Sequence, residues 1–111
     1  MTSTLKIYNT LARTAEDFTA LTPGEAKIYS CGPTVYNFAH IGNFRSYIFA
    51  DLLRQALVLS GHKVTQVMNI TDVDDKTIAN SAKAGLSLQD FTERYTKSFF
   101  EDIAALRIDP A

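Results

Sequence analysis

Ala26-Lys27-Ile28-Tyr29-Ser30-Cys31-Gly32-Pro33-Thr34-Val35-Tyr36-Asn37-Phe38-Ala39-His40-Ile41-Gly42-Asn43 runs from a β-like segment, through a loop of conformationally special residues, into a long helical pattern. The strand must stop at Gly32-Pro33, because proline has no N–H to give to a ladder. From Ile41 onward, Ile41, Phe44, Ile48, Leu52, Ala56 and Leu59 recur at three- and four-residue intervals, the period of an amphipathic helix of about five turns. Gly61 ends it as a residue able to take positive φ just past the cap. Val64-Thr65-Gln66-Val67-Met68-Asn69-Ile70 is short and β-branched and reads as a buried strand parallel to the one ending at Cys31. Strand, helix and strand together predict a βαβ unit, whose crossover is expected to be right-handed, and an α/β fold class.

Toward the amino terminus, Leu5-Lys6-Ile7-Tyr8-Asn9 alternates apolar and polar residues as a half-buried strand does, and Thr10 to Glu25 is a mixed segment closed by Pro23-Gly24. Toward the carboxyl terminus, Thr71 or Asp72 is expected to cap a short helix over about 74–84, which Gly85 stops. Ser87 with Asp90 resembles a capping pair for a last helix, lined on one face by Leu88, Phe91, Tyr95, Phe99, Ile103 and Leu106. Ile108-Asp109-Pro110-Ala111 breaks that helix. No internal repeat or low-complexity segment divides the chain, so residues 1–111 read as one α/β unit with a helical tail.

The 111 residues suit one domain, and the 46% hydrophobic content is ordinary for a globular core. A formal charge of −1 gives no global basic footprint for a nucleic acid. No apolar run approaches the ~20 residues of a bilayer span, and Met1-Thr2-Ser3-Thr4-Leu5 lacks the apolar core of a signal peptide, so a cytoplasmic location away from membranes is expected. The single cysteine excludes an internal disulfide.

In open α/β sheets ligands bind beyond the carboxyl ends of the strands, which directs attention to two clusters. His40-Ile41-Gly42-Asn43 opens the long helix, where free N–H groups and the positive end of the macrodipole favour a phosphate. Gly42 leaves room for a base or ribose, and His40 can donate to a phosphate oxygen, although the same residues also serve as a plain helix cap. Asn69-Ile70-Thr71-Asp72-Val73-Asp74-Asp75-Lys76 ends the next parallel strand in the same crevice. Its carboxylates suit a helix N-terminus electrostatically, while Thr71 and Asp72 could also hold an amino acid, a ribose or a hydrated Mg²⁺. Cys31 is open to three readings: a buried thiol, a zinc ligand, or a nucleophile with His40 as base. A tetrahedral zinc needs three or four ligands, and the second histidine, His62, lies at the opposite end of the helix from His40, so these residues do not encode a complete zinc site.

Taken in order, Tyr29-Ser30-Cys31-Gly32-Pro33-Thr34-Val35-Tyr36, His40-Ile41-Gly42-Asn43 and Asn69 to Lys76 resemble the cysteinyl-tRNA synthetases, a branch of the class I aminoacyl-tRNA synthetases, over essentially the whole chain. The resemblance implies the first half of a Rossmann-like parallel-sheet catalytic domain that activates cysteine with ATP to cysteinyl-adenylate and transfers it to tRNA(Cys). It implies ATP contacts at Tyr36, His40, Gly42 and Asn43, with His40 and Asn43 catalytic. Asn43 stands where the family's H-I-G-H signature ends in histidine, and an amide offers less to transition-state charge than an imidazole. Gly32, Thr34, Thr71 and Asp72 are implied to seat the cysteine substrate. Cys31 is implied to be the first ligand of a Zn²⁺ that binds the substrate thiolate, and Mg²⁺ to accompany ATP.

The family's other zinc ligands, its K-M-S-K-S loop and its anticodon-binding helices have no counterpart in these residues, so the polypeptide alone is expected to be inactive or nearly so, as part of a longer parent protein. Two other readings remain: a regulatory paralogue that keeps a nucleotide crevice without catalysis, and the related ligase that joins cysteine to a glucosaminyl-inositol in mycothiol synthesis. Asn43 and the Asn69–Lys76 motif favour the synthetase. A sheet of so few parallel strands is also expected to leave an unpaired edge and uncovered apolar surface.

Overall fold

The computed structural model describes residues 5–111; the reading of Met1–Thr4 as lacking an apolar leader lies outside them. The element order is β1 (Lys6–Asn9), β2 (Thr14–Asp17), β3 (Glu25–Ser30), α1 (Ile41–Leu59), β4 (Lys63–Met68), α2 (Asp75–Ala84) and α3 (Leu88–Ala105). β2 lies within the segment read as mixed. It pairs antiparallel with β1, from Lys6 opposite Asp17 to Asn9 opposite Thr14. Asn9 explains the turn: its Oδ1 accepts from the Leu11 N–H at 3.0 Å and its carbonyl from the Arg13 N–H at 2.7 Å. Thr14-Ala15-Glu16-Asp17 is exposed throughout, so it carries no burial pattern from which a strand could be read.

β3 and β4 pair in parallel, with Ala26 opposite Val64, Ile28 opposite Gln66 and Ser30 opposite Met68. The βαβ unit is therefore present, with α1 as its crossover. Ala26, Ile28, Val64 and Met68 share the covered face, as strand alternation requires. The opposite face is bare, with Tyr29 68% and Val67 53% exposed.

α1 is turned differently from its apolar period. Four residues of the periodic stripe, Ile41, Ile48, Leu52 and Leu59, are exposed, Ile41 to 89% and Leu59 to 88%, while Phe44 and Ala56 are half-buried and Tyr47, Ala50, Asp51 and Leu57 are buried. The helix is apolar on two sides, a pattern suited to burial on both, and the second side is filled by Tyr47 and by a charged group the periodicity scores as surface. That group is Asp51, which accepts from Arg54 Nη2 at 2.9 Å and Gln55 Nε2 at 2.6 Å; Arg54 reaches on to Asp109 at 3.2 Å. The main core cluster is Tyr47, Phe99, Ile103 and Ile108, with Phe44, Met68 and Ile70 packed against it.

The cap of α2 is Asp74 rather than Thr71 or Asp72. Its carboxylate accepts from the Lys76 N–H at 3.0 Å while its own N–H donates to Thr77 Oγ1 at 2.9 Å. Ser87 caps α3 as expected, accepting from the Asp90 N–H at 3.1 Å. On α3, Phe91, Phe99 and Ile103 are buried but Leu106 is exposed; Ile108 takes its place. The exchange follows from how the helix ends. Ile108 N–H donates to the Ile103 carbonyl at 2.9 Å and Arg107 N–H to Ala104 at 3.0 Å, with Arg107 at φ 58°. This is a Schellman ending, and it folds Ile108 back onto Ile103. α1 ends the same way around Gly61 at φ 91°.

Candidate functional site

Where β3 and β4 stop, their loops stay joined. The Thr71 N–H donates to the Pro33 carbonyl at 2.9 Å, the Val35 N–H donates to the Thr71 carbonyl at 3.0 Å, and Thr34 and Thr71 form an isolated parallel bridge. Asn69 Oδ1 accepts from the Gly32 N–H at 2.7 Å. Position 32 must be glycine for steric reasons, since a Cβ there would be driven into the Asn69 carbonyl oxygen and lie 2.8 Å from Met68 Cγ. Buried Val35 anchors the loop, and Phe38 packs edge-on to Tyr95 of α3 with ring centroids 4.9 Å apart. The chain thus arrives at α1 from a fixed direction.

His40 is the N-cap of α1. Its Nδ1 accepts from the Gly42 and Asn43 N–H groups at 3.1 and 3.3 Å, while Asn43 Oδ1 accepts from the His40 N–H at 3.0 Å, which closes a capping box. An Nδ1 that accepts is unprotonated, so the neutral ring carries its proton on Nε2, on the side away from the helix. Gly42 permits this arrangement, because a Cβ there would sit 2.9 Å from His40 Cε1. The amides of Gly42 and Asn43 are consequently occupied by the cap. What this helix end offers a ligand is its dipole and the His40 and Asn43 side chains.

These residues enclose a cleft of about 320 Å³. It is lined by Gly32 and Thr34 from the first strand end, Tyr36 from the loop, His40 and Asn43 from α1, and Lys76 from the start of α2. Tyr47, one turn beyond Asn43, closes its base at 6% exposure. Burial raises the Tyr47 pKa above the ordinary tyrosine range, and the nearby Cys31 raises it further.

The sequence-predicted residues divide between three places. Gly32, Thr34, Tyr36, His40 and Asn43 meet in the cleft, while Gly42 backs the His40 ring. Thr71 joins through its bridge to Thr34, and Cys31, exposed, precedes Gly32 in the chain. Asp72 lies apart: it is exposed and lines a separate groove with Leu88 and Thr92 of α3. Tyr47 and Lys76 were not singled out from the sequence. For Tyr47 the available signal was its i,i+4 relation to Asn43, which puts both on one helix face. For Lys76 it was a cation in the first turn of a helix, where the dipole opposes it.

Among the described residues no group of three or more His, Cys, Asp or Glu side chains could hold a metal ion. These residues do not by themselves fit a zinc centre, and Cys31 can serve as one ligand at most. No helix among them is long and apolar enough to cross a membrane.

Residues 17–111 match the family model of the class I (C) tRNA synthetase catalytic domain. Similar chains include the cysteine–tRNA ligases of Brachyspira hyodysenteriae, 57% identical over 104 residues, and of Chlamydia felis and Methanosarcina mazei, each 52% identical over 107 residues. The alignments cover 94% to 96% of this chain but only 22% to 23% of those proteins. The matched region contains both strand ends, the His40 cap and the cleft they enclose. The chain belongs to the class I (C) tRNA synthetase catalytic domain family.

Proposed function

We propose that this chain contributes the strand-end half of an amino-acid-activating site in a cysteine–tRNA ligase. In the reaction a cysteine carboxylate oxygen attacks the α-phosphorus of ATP, the bond from that phosphorus to the oxygen it shares with the β-phosphate breaks, and pyrophosphate leaves with that electron pair. The cysteinyl group then passes from the adenylate to a terminal ribose hydroxyl of tRNA(Cys), releasing AMP. The observation that carries the proposal is the His40 capping box. It fixes the ring with Nδ1 toward the helix, so Nε2–H is the preorganised donor left for a phosphate oxygen. Asn43 keeps its amide N–H groups for the same ligand because its oxygen is occupied by the cap.

Gly32, Thr34 and Thr71 form the adjoining wall, and we assign the amino acid to it, with Cys31 nearest its thiol end and Asp72 at most peripheral. A zinc ion that selects thiolate over hydroxyl would take Cys31 as a single ligand. The cleft is lined by the loop after β3 and by residues of α1 and α2, and the chain spans 22% to 23% of the ligases it matches, so the purified chain should not turn over unaided.

A chimera tests the proposal: these residues replace the matching segment of the Brachyspira hyodysenteriae ligase, and cysteine-dependent ATP–pyrophosphate exchange is measured. Exchange should persist, and fall by about 100-fold or more when His40→Ala removes the donor. A folded chimera without exchange, or one indifferent to His40→Ala, would overturn it.

A further inference from the structure

We propose that Lys76 is the anion-binding cation of the cleft and holds the phosphate chain of a nucleotide there, an assignment that rests on the nucleotide reading above. Lys76 is the second residue of α2, whose N-cap is Asp74. A cation in a first helical turn is disfavoured by the macrodipole, so helix stability does not account for it. Its ammonium makes no ion pair among the described residues, although Asp74 and Asp75 precede it in the chain. Instead it lies 5.1 Å from the centroid of the Tyr36 ring, and both residues line the cleft. A π-face steadies an ammonium without neutralising it, which leaves its charge for a ligand.

The lining itself carries a single full charge, that of Lys76. The other lining residues are neutral, and no carboxylate lines the cleft. Both α1, through His40 and Asn43, and α2, through Lys76, bring their N-terminal ends to it, so two positive dipole ends and one full charge converge on about 320 Å³. His40 and Asn43 line that space from the start of α1, and Lys76 lines it from the start of α2. A chain of phosphates, with several oxygens and several charges, fits two separated donor sets better than a single carboxylate does.

Titration of inorganic tripolyphosphate and, separately, adenosine, followed by amide chemical shifts, tests the assignment. Tripolyphosphate should shift Tyr36, His40, Asn43 and Lys76. Lys76→Gln should weaken it about tenfold, the loss of one charge-assisted contact. Lys76→Arg should retain it, and Lys83→Gln, which removes a cation from the far end of the same helix, should leave it unchanged. Adenosine should bind all variants alike. Equal tripolyphosphate affinity in the wild type and Lys76→Gln, or shifts confined to other surfaces, overturns the assignment. Lys76-dependent tripolyphosphate binding without adenosine binding upholds Lys76 as an anion site and overturns the nucleotide reading instead.

Discussion

Replacing Gly32 by alanine should part the two strand-end loops on which the site is built. The added Cβ would collide with the Asn69 carbonyl oxygen, with Met68 Cγ at 2.8 Å and the Asn69 carbonyl carbon at 3.1 Å. The closest ordinary C···O approach is about 3.3 Å, and two of these three atoms are backbone, so no rotamer change relieves the contact. The loops must separate, which strains or breaks the Gly32–Asn69 hydrogen bond at 2.7 Å and the two Thr71 backbone bonds at 2.9 and 3.0 Å. At roughly 1 kcal/mol net for each bond the loss is about 3 kcal/mol, a large share of the 5–15 kcal/mol typical of a domain. Urea unfolding with amide hydrogen exchange reads both effects: the midpoint should fall, and the Val35 and Thr71 amides should lose protection first. A Gly32→Ala protein within about 0.5 kcal/mol of the wild type, with those amides still protected, would show that position 32 tolerates a Cβ.

Three other substitutions probe the packing around the site. Tyr47 has a raised pKa because burial, and then Cys31, disfavour its phenolate. Its stabilising contribution is full below the unfolded value near pH 10 and is lost as pH rises toward the folded pKa, so Tyr47→Phe should flatten the alkaline arm of a stability–pH curve; an unchanged arm contradicts this. Asp51→Ala leaves partly buried Arg54 with only the exposed Asp109, and should cost about 1–3 kcal/mol in urea unfolding after allowance for solvent screening; a loss below about 0.5 kcal/mol speaks against a structural pair. Arg107→Gly removes a non-glycine residue from φ 58° and should raise stability by about 1 kcal/mol, visible as a higher melting temperature; a decrease contradicts the Schellman ending.

The βαβ unit was legible because each of its parts carried a local mark: Pro33 stopping one strand, a long periodic run, Gly61 ending the helix, and a β-branched strand to follow. Which face of α1 is buried was not legible from periodicity. That pattern counts apolar residues, whereas the buried face includes Asp51, made tolerable by Arg54 and Gln55, and the counted stripe of Ile41, Ile48, Leu52 and Leu59 is left exposed. β2 escaped notice because an exposed ribbon has no inside and so no alternation. Much of the cleft's lining lies in the strand-to-helix loop singled out from the sequence, and the capping role of His40 was one of three meanings open for it. Structure joins them: the cap is what orients the donor. Tyr47 and Lys76 come from helix positions whose relation to the cleft depends on tertiary packing, which no local pattern encodes.

In the proposed site the His40 cap turns an Nε2–H donor toward a nucleotide. Nitrogen-15 resonances of the His40 imidazole measure this directly, before and after addition of ATP. The predicted result is a neutral ring protonated on Nε2 with Nδ1 bare, whose Nε2 resonance moves on ATP binding together with Asn43 and Lys76. A ring protonated on Nδ1, or ATP shifts confined to the groove of Asp72 and Thr92, would contradict it.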